Sequence, residues 1–143
     1  MCGITGNFGY IEHEDFSVHL QKVSHLLSRR GPDQINILDI EHFFAAHSRL
    51  IVQGGLDDGV QPMRYQNIVL LFNGNLYNKD ALREDLKLIG YKFNGVSDTE
   101  VVAVSIHHWG NKAFNKFNGF FSIAYFNADK KSLTLARDRL GQK

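Results

Sequence analysis

The chain holds one cysteine, and it is the second residue. Removal of Met1 is expected when so small a residue follows it, and would leave a thiol and a free α-amine on one residue. The α-amine has an ordinary pKa of about 7.7–8.0, so near neutral pH it can take the thiol's proton, directly or through water. It can later return that proton to a departing amine. Nucleophile and base would then come from Cys2 alone. A plain alternative is a small buried side chain, where most cysteines sit, and position does not choose between the two. Asn73-Gly74 is the strongest short signal for a type I′ hairpin turn. The histidines offer no metal site. His107 and His108 are adjacent and point in different directions on a helix, and His42 and His47 have no cysteine or carboxylate at ligand spacing.

These residues need elements to hold them. Ile4 to Tyr10 is short, apolar and punctuated by glycine, as a strand would be. Phe16, Leu20, Val23 and Leu27 follow helical spacing and predict a helix from about Asp15 to Arg29. Arg30-Gly31-Pro32-Asp33 breaks the chain, and Ile35 to Ile40 and Phe43 to Leu50 then read as two strands. Gln53 to Pro62 is a glycine- and aspartate-rich loop. Ile68 to Phe72 predicts a buried strand, ended by Asn73-Gly74. Ala81, Leu82, Leu86 and Ile89 mark a second helix with Gly90 at its C-terminal end. Ser97 and Glu100 form a capping-box signature for a third, carrying Val101, Val102, Ile106 and Trp109 and stopped by Gly110. Phe120 to Phe126 and Ser132 to Arg137 are two last strands around a turn at Asn127 to Lys131. Segregated runs of strands and helices favour a layered α+β domain.

With 143 residues, 43% hydrophobic and 22% charged, the chain suits one domain with a real core. A formal charge of +1 gives no electrostatic case for nucleic acid or an anionic membrane. One cysteine excludes an intrachain disulfide. No apolar run approaches the roughly 20 residues that span a bilayer, and the N-terminus lacks the pattern of a signal peptide. A cytoplasmic setting is the expectation.

Six segments occur in order: Met1-Cys2-Gly3-Ile4, Arg30-Gly31-Pro32-Asp33, His47-Ser48-Arg49-Leu50, Asn73-Gly74-Asn75-Leu76-Tyr77-Asn78, Ser97-Asp98-Thr99-Glu100-Val101 and Ala136-Arg137-Asp138-Arg139-Leu140-Gly141. On these segments the sequence resembles class II glutamine amidotransferases, the N-terminal-nucleophile hydrolases, over nearly its whole length. Arg-Gly-Pro-Asp and Arg-Asp-Arg-Leu-Gly are most similar to the glutaminase domain of glutamine-hydrolysing asparagine synthetases. The resemblance implies a four-layer α/β/β/α sandwich. It implies a domain spanning residues 1–143, the N-terminal fragment of a longer protein cut before a synthetase domain.

The resemblance also implies roles. Cys2 is the nucleophile, and Asn73 and Gly74 form an oxyanion hole. Arg49 binds the α-carboxylate of L-glutamine, for which a planar guanidinium is suited. Asp98 is the counter-charge for the α-ammonium, and Leu50, Ile51, Val52 and Asn75 complete the substrate site. Where the asparagine synthetase pattern usually has Ser-Ile after Arg-Leu, Ile51-Val52 follows here. Asn75 stands where Glu is typical, although the amidophosphoribosyltransferase branch is similar to Asn-Gly-Asn-Leu. Gln53-Gly54-Gly55-Leu56-Asp57-Asp58 resembles the synthetase pyrophosphate loop. It lacks both flanking serines, and Gly59 and Pro62 oppose the helix such a loop feeds.

The implied reaction is hydrolysis of glutamine to glutamate and ammonia, with ammonia supplied to an asparagine-synthetase-like amidation. The domain itself needs no cofactor or metal, and ATP and Mg are expected in the synthetase domain. Self-association as a homodimer is allowed for but not indicated. Two other readings stay open: a phosphoribosylamine- or glucosamine-phosphate-forming branch, and a glutamine-binding module without catalysis.

Overall fold

The computed structural model describes residues 2–9, 13–40, 43–51, 55 and 57–143, with backbone alone at 13–17, 20 and 24. The chain divides into two units, Met1–Val52 and Gln53–Lys143. In the first, β1 (Gly3–Phe8), α1 (His13–Leu27), β2 (Gln34–Ile40) and β3 (Phe43–Arg49) follow in sequence. The three strands form an antiparallel sheet in the order β1-β3-β2. All seven residues of the central β3 are buried, the polar His47, Ser48 and Arg49 included. Helix α1 turns Val23 and Leu27 inward and leaves Val18 and Leu26 exposed, as the apolar spacing requires.

The second unit contains β4 (Met63–Tyr65), β5 (Ile68–Leu76), α2 (Lys79–Leu88), α3 (Asp98–Trp109), a 3₁₀ turn (Gly110–Asn115), β6 (Gly119–Asn127) and β7 (Ser132–Arg137). The strands make one antiparallel sheet in the order β4-β5-β6-β7. Helix α3 is apolar around most of its circumference and is buried from Thr99 to Ile106, so it acts as the core helix of this unit. It packs on β4, β5, α2 and the 3₁₀ turn. Its Val101, Val102 and Ile106 meet Ile68, Leu70 and Phe72 of β5 and Phe121, Ile123 and Tyr125 of β6. The α+β class read from the sequence is the class observed.

Two details differ from the sequence reading. Asn73-Gly74 does not turn the chain. Strand β5 runs through it to Leu76, with Asn73 opposite Ser122 and Gly74 opposite Phe121. The turn signal yields because β6 supplies nine consecutive partners. The capping box is half made. Ser97 Oγ accepts from Glu100 N–H at 3.4 Å, but the Glu100 carboxylate accepts instead from Asn94 and Gly95 N–H at 2.8 and 2.9 Å. The Ser97 N–H is taken by Asp58 Oδ1 at 3.3 Å.

Other boundaries move by a residue or two. The first strand ends at Phe8, and Tyr10 lies outside the described residues. Helix α1 covers His13–Leu27 rather than Asp15 to Arg29. Helix α2 closes as expected near Gly90, whose N–H bonds Lys87 O while Tyr91 N–H bonds Leu86 O. The short β4 falls in a stretch where no strand was expected.

Asp138 closes the second unit. It is 5% exposed, and its carboxylate accepts from Gln142 N–H at 2.8 Å, Lys143 N–H at 3.0 Å and Phe121 N–H at 3.2 Å. Its own N–H bonds Phe121 O at 2.9 Å, so it splints β6 opposite Gly74. The Gln142 N–H foremost, with the other backbone donors, holds its carboxyl below the usual carboxylate range. The unfolded chain has an ordinary Asp pKa of about 3.9. A lowered folded pKa gives stability that is full above the unfolded value and lost as pH falls through the folded one. The melting temperature of Asp138→Asn should therefore lie below wild type at neutral pH, with the gap narrowing as pH drops below about 4. A gap constant with pH in thermal scans would contradict this role.

Candidate active site

In the first unit the site begins at the ends of β1 and β3. Gly3 pairs with Ser48, which leaves Cys2 and Arg49 as the next residues on the two strands. Leu50 N–H donates to Cys2 Sγ at 3.4 Å, and the thiol lies 3.8 Å from Leu50 O. The backbone just after Arg49 thus fixes where the sulfur sits. Arg49 is 6% exposed, and its Nη1 donates to Gln34 Oε1 at 3.4 Å. Ile51 N–H donates to Asp33 Oδ2 at 2.7 Å, while Asp33 N–H donates to Arg49 O at 3.1 Å. Cys2, Arg49, Leu50 and Ile51 are therefore brought together. Val52 lies outside the described residues.

The Arg30-Gly31-Pro32-Asp33 segment explains this placement. Ser48 Oγ lies 2.6 Å from Gly31 O and 2.9 Å from Leu27 O, bonding the segment to β3 from beneath. A Cβ on Gly31 would overlap the Ser48 carbonyl, so only glycine permits this approach. Asp33 then clamps both sides of Leu50 through backbone groups.

In the second unit, taken by itself, the residues named from the sequence lie along an edge of β5. Strand β4 covers β5 only as far as the Met63–Leu70 pair. Beyond it, Phe72, Gly74 and Leu76 direct their N–H groups to that same edge, by the alternation of a strand. Phe72 N–H donates to Gln61 Oε1 at 2.5 Å, and Leu76 N–H donates to Asp98 Oδ2 at 2.7 Å. Gly74 N–H lies between these two occupied donors. Asn73 and Asn75 alternate with Gly74 and project to the sheet face away from Phe72 and Leu76. A Cβ on Gly74 would overlap Phe120 O and crowd Phe121.

Asp98 opens α3, where the helix dipole favours a carboxylate. Its Oδ1 pairs with Lys79 Nζ at 3.3 Å. The loop before it is held by backbone contacts: Asp58 Oδ2 accepts from Val96 N–H at 3.1 Å, and Arg83 donates to Gly95 O and to Ser97 O. The Arg83 guanidinium also sits 4.7 Å over the Phe93 ring. Asn73, Gly74, Asn75 and Asp98 are thus assembled in this unit. Gln61, Asp58 and Arg83 have positioning contacts that sequence reasoning missed, since each bonds backbone and none has a distinctive spacing; Asp33 and Ser48 stood in quoted segments, but with no role given to them. Among the described residues no three His, Cys, Asp or Glu side chains group to hold a metal. No helix among them is long and apolar enough to cross a membrane.

Comparison with known proteins agrees with this architecture. Glutamine phosphoribosylpyrophosphate amidotransferase from Bacillus subtilis, solved with ADP and GMP, superposes with a TM-score of 0.69 at 21% identity. The match covers 96% of this chain and 37% of that one, and it shows a shared fold. The glutamine amidotransferase domain family matches residues 1–143, and the chain belongs to that family.

Asparagine synthetase [glutamine-hydrolyzing] 3 of Bacillus subtilis (strain 168) is 34% identical over 100% of this chain and 24% of its own length. Asparagine synthetase B of Escherichia coli (strain K12) is 32% identical over 99% of this chain and 26% of its own. The chain thus spans about a quarter of the length of these relatives. They favour the asparagine-synthetase branch over the phosphoribosylamine- and glucosamine-phosphate-forming one.

The close Gly31 approach has a measurable consequence. Gly31→Ala should push β3 from its seat and destabilise the protein by about 1–3 kcal/mol, the usual range for overpacking a filled site. Urea unfolding checks this, and an unchanged midpoint would show that the segment does not hold β3.

Proposed function

We propose that this domain hydrolyses L-glutamine to glutamate and ammonia with Cys2 as nucleophile, and passes the ammonia to an ATP-dependent amidation of the asparagine-synthetase kind. The observation that carries the proposal is the Leu50 N–H seated on Cys2 Sγ, which ties the thiol to the strand end bearing Arg49. Arg49 binds the α-carboxylate through its planar fork. Leu50, Ile51 and Val52 continue the substrate-binding segment. Asp98 receives the α-ammonium, with Asn75 beside it.

The Cys2 α-amine takes the thiol proton, and sulfur attacks the carboxamide carbon. The oxyanion is held by the Asn73 side-chain amide and Gly74 N–H. The C–N bond then breaks, the α-amine returns its proton, and ammonia leaves. Water attacks the thioester, giving glutamate and restoring the thiol. ATP and Mg act in a synthetase domain outside this chain, and no step here passes through them. The same reading places the protein in the cytoplasm.

Cys2→Ala should abolish glutamate release while leaving glutamine binding by calorimetry nearly intact. Asn73→Ala should lower kcat by about 100–1000-fold, the usual effect of removing one oxyanion donor, with little change in KM. Retention of wild-type turnover by Cys2→Ala would sink the proposal. A chain whose intact mass shows Met1 retained should be inactive, since its α-amine is no longer on Cys2.

A further inference from the structure

The buried polar residue with the widest reach in the second unit is Gln61, 4% exposed and outside the set of proposed catalytic and substrate-binding residues. The β4–β5 register puts Met63 opposite Leu70, so Gln61 falls opposite Phe72, two steps past the end of the ladder. Its side chain supplies the acceptor that a continuing strand would have offered, at 2.5 Å from Phe72 N. Its Nε2 donates to Thr99 Oγ1 at 3.3 Å, and Thr99 is 5% exposed. One buried carboxamide therefore joins the residue before Asn73 to the residue after Asp98. The Leu76–Asp98 bond is a second rung between the same strand and helix, and Gly74 lies between the two rungs.

We infer that Gln61 is a positioning residue for glutamine hydrolysis, holding the oxyanion donors and the ammonium-binding carboxylate at a fixed spacing. This rests on the reading under Proposed function. Without Gln61 a buried Phe72 N–H has lost its acceptor, and a buried donor must turn to find another. A turn of that peptide rotates the strand through Asn73 and Gly74. Thr99 serves the other end: its hydroxyl seats the first turn of α3 and with it Asp98. The two ends should separate kinetically, because one carries transition-state donors and the other a contact made throughout the reaction.

The test compares Gln61→Met and Thr99→Val in the purified protein, with Ile106→Val as a control for mild loss of packing elsewhere on α3. Gln61→Met should lower kcat by about tenfold or more and raise KM, the effect of one buried hydrogen bond converted to rate. Thr99→Val keeps the acceptor for Phe72, so kcat should stay within about twofold while KM rises several-fold. Amide exchange should quicken in Gln61→Met at Leu76 as well as Phe72, because both rungs loosen together. Exchange quickened at Phe72 alone, or kinetics matching Ile106→Val, would overturn the inference. If wild-type protein releases no glutamate, the hydrolytic reading fails, and exchange at Leu76 still decides whether Gln61 sets the strand-to-helix spacing.

Discussion

A long β strand beside a short neighbour leaves N–H groups that must be dealt with, and this constraint organises the second unit. Strand β5 has nine residues and β4 three, so among the described residues the far half of β5 has an edge without a ladder. An uncovered edge of this kind is usually a hazard. Here side chains occupy it selectively. Gln61 takes the Phe72 donor, Asp98 takes the Leu76 donor, and Gly74 lies between. Helix α3 supplies the Asp98 boundary and, through Thr99, meets Gln61 at the other, while Asp138 splints β6 opposite Gly74.

The first unit solves a related problem by the same means. Its strand ends carry Cys2 and Arg49, and strand ends fray unless something fixes them. Ser48 bonds downward to Gly31 and Leu27, and Asp33 bonds on either side of Leu50. In both units polar side chains grip backbone at these places. Such contacts set the position of a peptide whatever side chain it bears, so backbone geometry can persist while side chains such as Ile51 or Asn75 vary.

Much of the layout was legible in the sequence because apolar spacing and terminal signals are local. The third helix begins after Ser97 and ends at Gly110, and the last strand is Ser132–Arg137, as the pattern indicated. Asn73-Gly74 was read as ending its strand, with a turn as the plain alternative; that local preference is overruled by β6, 40 or more residues on, and no local rule anticipates it. Glu100 was read correctly as a helix-start residue but with the wrong partner. Its carboxylate reaches back to Asn94 and Gly95, a choice set by Asp58 already holding the Ser97 N–H. Gln61 carries no signal of its bond to Phe72 in one sequence, since that partner is unknown until the register of β4 on β5 is seen.

The grip on the segment leading into α3 has a practical side. Arg83, Asp58 and Glu100 hold its peptide groups, and the Val96 side chain is 66% exposed. Position 96 is therefore a perch: a fluorophore attached there would ride on a rigid backbone two residues from Asp98. Gly95 would not serve, because its face is filled by the Asp58 carboxylate. An optical reporter at residue 96 would sense the surroundings of Asp98 without displacing the contacts that hold that backbone.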